Sequence, residues 1–123
     1  MNRYPPLPQE IAECSQLSNL SLRNNKLSGP LPTDLGRCTL LENIILEGNQ
    51  LSGPLPASLA RCKKIIWLYV HDNMLAGPIP PLHAHPLILG YRFQGNSGLT
   101  ISEEEKARLV AAVPNPEAEF IWP

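Results

Sequence analysis

The sequence predicts a solenoid of about four stacked coils of 23–24 residues, each giving one short strand to a parallel sheet, with a helix closing the C-terminal end. Three observations predict it. The phrase NKLSGPLPTDLGRC, Asn25 to Cys38, returns 24 residues later as NQLSGPLPASLARC, Asn49 to Cys62, and NMLAGPIPPL begins at Asn73. The prolines keep the same beat: Pro30, Pro54 and Pro78 lie 24 apart, as do Pro8, Pro32, Pro56 and Pro80. Between these phrases the apolar residues alternate, as a short strand with one buried face requires.

Composition sets the bounds. At 123 residues the chain is one domain or a piece of a larger one. A net charge of -1 offers no electrostatic reason to expect nucleic acid or an anionic membrane as partner. No apolar run approaches the ~18 residues of a membrane span, so direct membrane insertion is not expected. The opening MNRYPPLPQE lacks the apolar stretch of a secretory signal peptide. Fourteen prolines would suit low complexity, but their periodic placement argues for repeated structure.

Stacked by 24, the chain divides into repeats at 7–30, 31–54 and 55–78, with a shortened fourth at 79–100 that has lost its Ser-Gly-Pro phrase. Residues 1–6 read as a remnant of a preceding repeat or an N-terminal arm, and 101–123 as a capping helix with a tail. In Leu20-Ser21-Leu22, Ile44-Ile45-Leu46 and Leu68-Tyr69-Val70 the outer residues share one face and the middle one points the other way. Parallel neighbours need a crossover, which the rest of each coil supplies. No coil can bury its apolar residues alone, so stacking is what closes the core. Gly29, Gly53 and Gly77 suit a bend with positive φ, stiffened by the prolines around it.

The shared frame, L-P-x-x-[IL]-x-x-C-x-x-[IL]-x-x-[IL]-x-[LV]-x-x-N-x-L, resembles the leucine-rich repeat family over residues 5–99. Leu-Ser-Gly-Pro-Leu-Pro is similar to the hallmark of its plant-type subfamily, found in receptor-like kinases and proteins and in polygalacturonase-inhibitor-like proteins. The resemblance implies a leucine-rich repeat solenoid of the α/β-type repeat architecture, with the parallel sheet on its concave face. It also implies a role for Asn25, Asn49, Asn73 and Asn96. A surface turn would accommodate them, but in this family they form an internal ladder bonding backbone groups that the bend leaves unpaired. Cys14, Cys38 and Cys62 are also 24 apart. Their spacing does not suit a zinc site, and three in-register cysteines cannot all pair. An inward column of free thiols acting as small apolar groups is expected.

At the N-terminal end, Leu7, Ile11, Leu17, Leu20 and Leu22 are expected at an open edge, which invites self-association or marks a piece of a longer solenoid. At the other end, SEEEKARLVAAV reads as a helix with Ser102 as N-cap and Glu105 closing a capping box. Glu104 and Arg108 are spaced for an ion pair, Leu109, Val110 and Val113 form an apolar stripe, and Pro114 ends the helix. Phe120, Ile121 and Trp122 are expected to pack on the same cap.

The positions between the leucines are left to carry function. Across the repeats they read Asn19, Asn43, Trp67, Gly90; then Ser21, Ile45, Tyr69, Arg92; then Arg23, Glu47, His71, Gln94; then Asn24, Gly48, Asp72, Gly95. The resemblance implies that this concave surface binds a protein or peptide. Trp67, Tyr69, His71 and Asp72 share the third strand, and exposed aromatics are what interface hot spots favour. Ile45 and Arg92 flank Tyr69, Arg23, Glu47 and His71 form a candidate charge row, and Gln94 continues it.

Catalysis is not expected. His83-Ala-His85 could suggest a metal, but His71 lies on a strand and the other two in a crossover, so the three should not converge. There is no glycine-rich phosphate loop, and Glu103-Glu104-Glu105 is explained by a helix N-terminus. No metal or cofactor is implied. The compartment stays open between two readings. A piece of a receptor-like protein would lie outside the cell or at its surface. A chain starting at Met1, with unpaired thiols, would suit the cytoplasm.

Overall fold

A computed structural model describes residues 4–82 and 85–123. In chain order these form β1 (Asn19–Ser21), β2 (Ser28–Pro30), β3 (Asn43–Ile45), β4 (Gln50–Gly53), β5 (Trp67–Tyr69), β6 (Met74–Pro78), β7 (Gly90–Arg92), β8 (Gly98–Thr100), α1 (Glu103–Ala112) and β9 (Glu119–Ile121). Short 3-10 turns at Gln9–Glu13, Leu35–Arg37 and Ala57–Arg61 occupy the returning segments. The result is a leucine-rich repeat solenoid built from parallel strands.

One sheet has the order β1-β3-β5-β7-β9. Its register sets Leu20, Ile44, Leu68, Tyr91 and Phe120 side by side. The first four are buried and form one column of the core. The strands stay short because the chain turns into the left-handed region three residues past each of β1, β3, β5 and β7, at Asn24 (φ 58), Gly48 (φ 74), Asp72 (φ 55) and Gly95 (φ 75). Asn and Asp are among the few non-glycine residues that enter this region readily. The glycines between them are also needed for space. A Cβ on Gly95 would stand 2.2 Å from Asp72 Oδ1, and one on Gly48 2.0 Å from Asn24 Oδ1.

A second parallel sheet, β2-β4-β6-β8, was not foreseen from the Ser-Gly-Pro phrases, which suggested bends alone. The expected positive φ is present at Gly29, Gly53 and Gly77 (77, 76 and 94°). Stacking in register nevertheless lets consecutive phrases pair. Pro30 and Pro78 close β2 and β6, so their missing donors interrupt little of the ladder. The fourth coil joins through Gly98–Thr100 although it lacks the phrase.

The asparagine ladder is present. Asn49 Oδ1 accepts from the N–H groups of Asn25 and Leu27, both at 2.9 Å, while its Nδ2 donates to the carbonyls of Leu22 and Leu46 at 3.0 and 2.9 Å. Asn73 and Asn96 repeat the pattern one and two coils on. Each side chain thereby ties two coils together and satisfies backbone groups that water does not reach. The Asn25 side chain is exposed and, among the described residues, bonds only within its own turn, to the carbonyls of Leu22 and Arg23.

The thiols depart from the expected column at one end. Cys38 and Cys62 are buried, but Cys14 is exposed, and all three are free. Burial pushes the Cys62 thiol up to about 11, and its Sγ donates to the Cys38 carbonyl at 3.4 Å. The N-terminal edge is also less open than expected: Leu7 and Leu20 are buried, while Ile11, Leu17 and Leu22 are partly buried against the core.

Helix α1 has Ser102 as its N-cap, whose Oγ accepts from the Glu105 N–H at 3.1 Å. Two details differ from the sequence expectation. Arg108 pairs with Glu105, three residues back, in place of Glu104. Val110 is 49% exposed, so the helix buries Leu109 while Val113 packs at the margin. The aromatic tail covers what the helix does not, with Phe120 and Trp122 packed against the core. No helix of the described residues is long and apolar enough to cross a membrane.

Candidate functional site

The outward positions of the five-stranded sheet form rows. Asn19, Asn43, Trp67, Gly90 and Glu119 stand in one, and Ser21, Ile45, Tyr69, Arg92 and Ile121 in the next. Backbone bonds from Asn24, Gly48 and Asp72 to the carbonyls of Glu47, His71 and Gln94 carry the alignment one residue pair further. Arg23, Glu47, His71 and Gln94 are therefore a third row.

An aromatic run lies along the third strand. Trp67 and Tyr69 meet edge to face at 5.6 Å, and Tyr69 and His71 at 5.7 Å. Alternate residues of a strand share a face, so i, i+2 spacing alone brings these rings together. The indole leans over Gly90, where a Cβ would stand 3.0 Å from its Cε3 and Cζ3. A side chain at position 90 would push the ring out of this place. Arg92 lies 4.5 Å from the Tyr69 ring centre and its Nε donates to Glu119 Oε1 at 2.6 Å. Burial raises the Tyr69 phenol above its ordinary value, and the Arg92 charge partly opposes that.

Ile45 and Arg92 flank Tyr69, as expected from the repeat. The charge row is only partly formed. Arg23 reaches Glu47 at 3.9 Å, and the two side chains are 66% and 16% exposed. A pair this open contributes ~0–1 kcal/mol. His71 is buried, at 9% exposure, instead of standing out from the surface. Asp72 does lie at the rim, but its left-handed backbone and its contact with Gly95 make it part of the turn.

Glu119 and Ile121 belong to this surface and were missed. The signal was available: Glu119-Phe120-Ile121-Trp122 repeats the in-out pattern of Gly90-Tyr91-Arg92-Phe93. The helix between the two segments breaks the 24-residue beat, so the fifth rung does not announce itself by spacing.

Among the described residues, His71 and His85 keep different neighbours. His83 lies outside the described residues. His85 is buried, and its Nε2–H donates to the Leu59 carbonyl at 2.7 Å, since a carbonyl can only accept. Its Nδ1 then stands as an acceptor 2.9 Å from the Tyr91 hydroxyl, whose one proton lies between it and the Leu82 carbonyl at 3.2 Å. Burial lowers the His85 pKa and raises that of Tyr91. Among the described residues, no group of three or more His, Cys, Asp and Glu side chains is placed to hold a metal ion.

Comparison with known proteins agrees with this architecture. Residues 16–38 and 40–62 match the Leucine Rich Repeat family. No curated protein sequence matches the chain. Among solved structures, the chain is similar to the BIR3–SERK2 complex from Arabidopsis thaliana, with 34% identity and a TM-score of 0.69 over 79% of this chain and 51% of that one. It is similar to the ectodomain of the receptor kinase SOBIR1 from Arabidopsis thaliana, with 30% identity and a TM-score of 0.74 over 80% and 54%. It also resembles the ectodomain of the Arabidopsis receptor kinase HAESA, solved with an N-terminally extended IDA peptide hormone ligand, at 26% identity and a TM-score of 0.71 over 80% and 16%. The chain thus spans about half the length of the first two.

Proposed function

We propose that this chain is a non-catalytic recognition module of a receptor-like or inhibitor-like leucine-rich repeat protein, and that it binds a peptide or protein segment across the outer, concave face of its five-stranded sheet. The observation that carries the reading is the half-buried Trp67–Tyr69 pair, flanked by Ile45 and Arg92 on a hydrogen-bonded sheet, with Ile121 one strand further on. Large rings with few rotatable bonds, already fixed by their neighbours, lose little entropy on binding. The peptide-bound HAESA ectodomain supports the same direction.

The test begins by selecting peptides from a displayed random dodecapeptide library on the immobilised 123-residue chain. Affinities of the selected peptides are then measured against Trp67→Ala, Tyr69→Ala and a control, Arg61→Ala, in the exposed 3-10 turn. The reading expects about tenfold or greater weakening for the two aromatic variants and no change for the control. Selected peptides that bind all variants equally, or a library that yields no binder, would refute it.

A further inference from the structure

Each coil enters its strand of the five-stranded sheet through the same tight turn. The N–H groups of Leu17, Leu41, Ile65 and Ile88 donate to the carbonyls of Cys14, Cys38, Cys62 and His85, at 3.0, 3.2, 3.3 and 3.3 Å. The two residues enclosed by each turn are Ser15-Gln16, Thr39-Leu40, Lys63-Lys64 and Pro86-Leu87. All are exposed except the partly buried Leu40. Matching turns on stacked coils set these pairs in one row, uncharged on the first two coils, basic on the third and apolar on the fourth.

The basic pair is not neutralised within the chain. Arg23, Arg92, Lys106 and Arg108 each face a carboxylate, but Lys63 and Lys64 make no ion pair among the described residues. Glu42 and Glu117, which stand just before β3 and β9, do not reach them. Adjacent like charges repel, and a carboxylate set between them relieves that repulsion. Lys63 adds its charge to burial in lowering the His85 pKa, which sets its ammonium beside the fourth coil.

The apolar pair of that coil is also uncovered. Leu87 is 55% exposed. With Pro86, Leu89, Pro114 and Pro116 it walls an open groove of about 500 Å3. Proline rings carry no side-chain rotamer freedom, so walls built from them lose little entropy when covered. An exposed apolar recess beside unneutralised positive charge is the footprint of a partner. A recess suits one inserted side chain, whereas a flat bilayer surface would leave it unfilled.

We propose that Lys63, Lys64 and the Leu87 groove form a second docking surface, for an acidic segment of a partner protein that presents an aliphatic side chain among its carboxylates. The carboxylates meet the two ammonium groups and steer the approach, while the aliphatic side chain leaves water against Leu87 and the prolines. This surface uses none of the residues of the Trp67–Tyr69 patch and does not rest on the reading of that patch.

The test uses the intact chain and three peptides: acetyl-Glu-Glu-Leu-Glu-Glu-amide, a counterpart with glutamine in place of each glutamate, and one with glycine in place of leucine. NMR titration follows the Leu87 methyl groups and the Trp67 indole N–H. The expected result is a saturable shift at Leu87 with the first peptide, about tenfold weaker binding of either counterpart, and an unmoved Trp67 signal. Lys63→Gln combined with Lys64→Gln, both at exposed positions, should weaken the first peptide by a similar factor. No saturable shift at Leu87, an equal response to the acidic and glutamine peptides, or a shift at Trp67 in its place overturns the proposal. So does binding of phosphatidylserine vesicles through the two lysines with no response to the peptide, which would assign the surface to a membrane.

Discussion

Replacing Asn73 by alanine tests whether the ladder holds neighbouring coils together. Asn73 Oδ1 serves the Leu51 N–H at 3.0 Å, and its Nδ2 serves the carbonyls of Leu46, Val70 and His71 at 2.9, 3.2 and 3.2 Å. The losses are unequal, since the two N–H groups of the amide are shared among three carbonyls and the His71 carbonyl also accepts from the Gly48 N–H. Leu46 keeps a bond from Asn49 and Val70 keeps one from Asn96, so those carbonyls remain partnered. The Leu51 N–H is buried and loses its side-chain acceptor. That orphaned donor contributes about 2 kcal/mol, and the two secondary bonds roughly 0.5 kcal/mol each, giving about 3 kcal/mol in all. At about 4 °C per kcal/mol for a chain of this size, the melting temperature should fall by roughly 12 °C. Asn25→Ala is the internal control, because that side chain is exposed and, among the described residues, bonds only within its own turn. It should lose no more than about 1 kcal/mol. Urea and thermal unfolding followed by circular dichroism measure both. Equal losses for the two variants, or a loss below about 1 kcal/mol for Asn73→Ala, would refute the reasoning.

Two further outcomes follow from burial. His85 is held below its ordinary pKa of 6.5, first by desolvation, so folding favours its neutral form. Its contribution to stability is complete above that value and is lost as pH falls below it toward the folded pKa. Urea midpoints from pH 8 down to pH 5 should decline in the wild type and decline less in His85→Gln, and parallel curves would contradict this. A maleimide should label one thiol of the native chain, Cys14, and reach all three only in denaturant, because Cys38 and Cys62 are buried. Mass spectrometry counts the adducts, and rapid double or triple labelling under native conditions would be the contrary result.

The periodic part of this protein was legible in its residues. Leu20, Ile44 and Leu68 recur because each coil must point an apolar side chain at the same core column, and their burial and in-register pairing follow from that requirement. The asparagines and the glycines of the repeated phrase are similarly local. Each answers a turn that the coil makes by itself, so repetition along the chain is enough to mark it. Trp67, Tyr69 and Arg92 come together by the same logic, since a parallel register converts a sequence offset into spatial adjacency.

Tertiary structure decided whatever depends on how far the chain travels between coils. The second sheet exists because Ser28–Pro30 and Gln50–Gly53 lie at matching heights, a fact of stacking and not of the phrase. The strand at Glu119–Ile121 follows a helix that resets the spacing, so only the path of that helix returns the chain to the edge of β7. His85 reads as one half of a metal-like pair, yet packing turns it inward to Leu59 and Tyr91, residues 26 and 6 positions away. That Lys63 and Lys64 stand beside the Leu87 groove with no ion pair among the described residues could not be read from their identities either. Residue type names a hydrogen-bonding capacity, but whether it is met depends on which neighbours reach it. Burial, distance and orientation arise between coils, and no single coil encodes them.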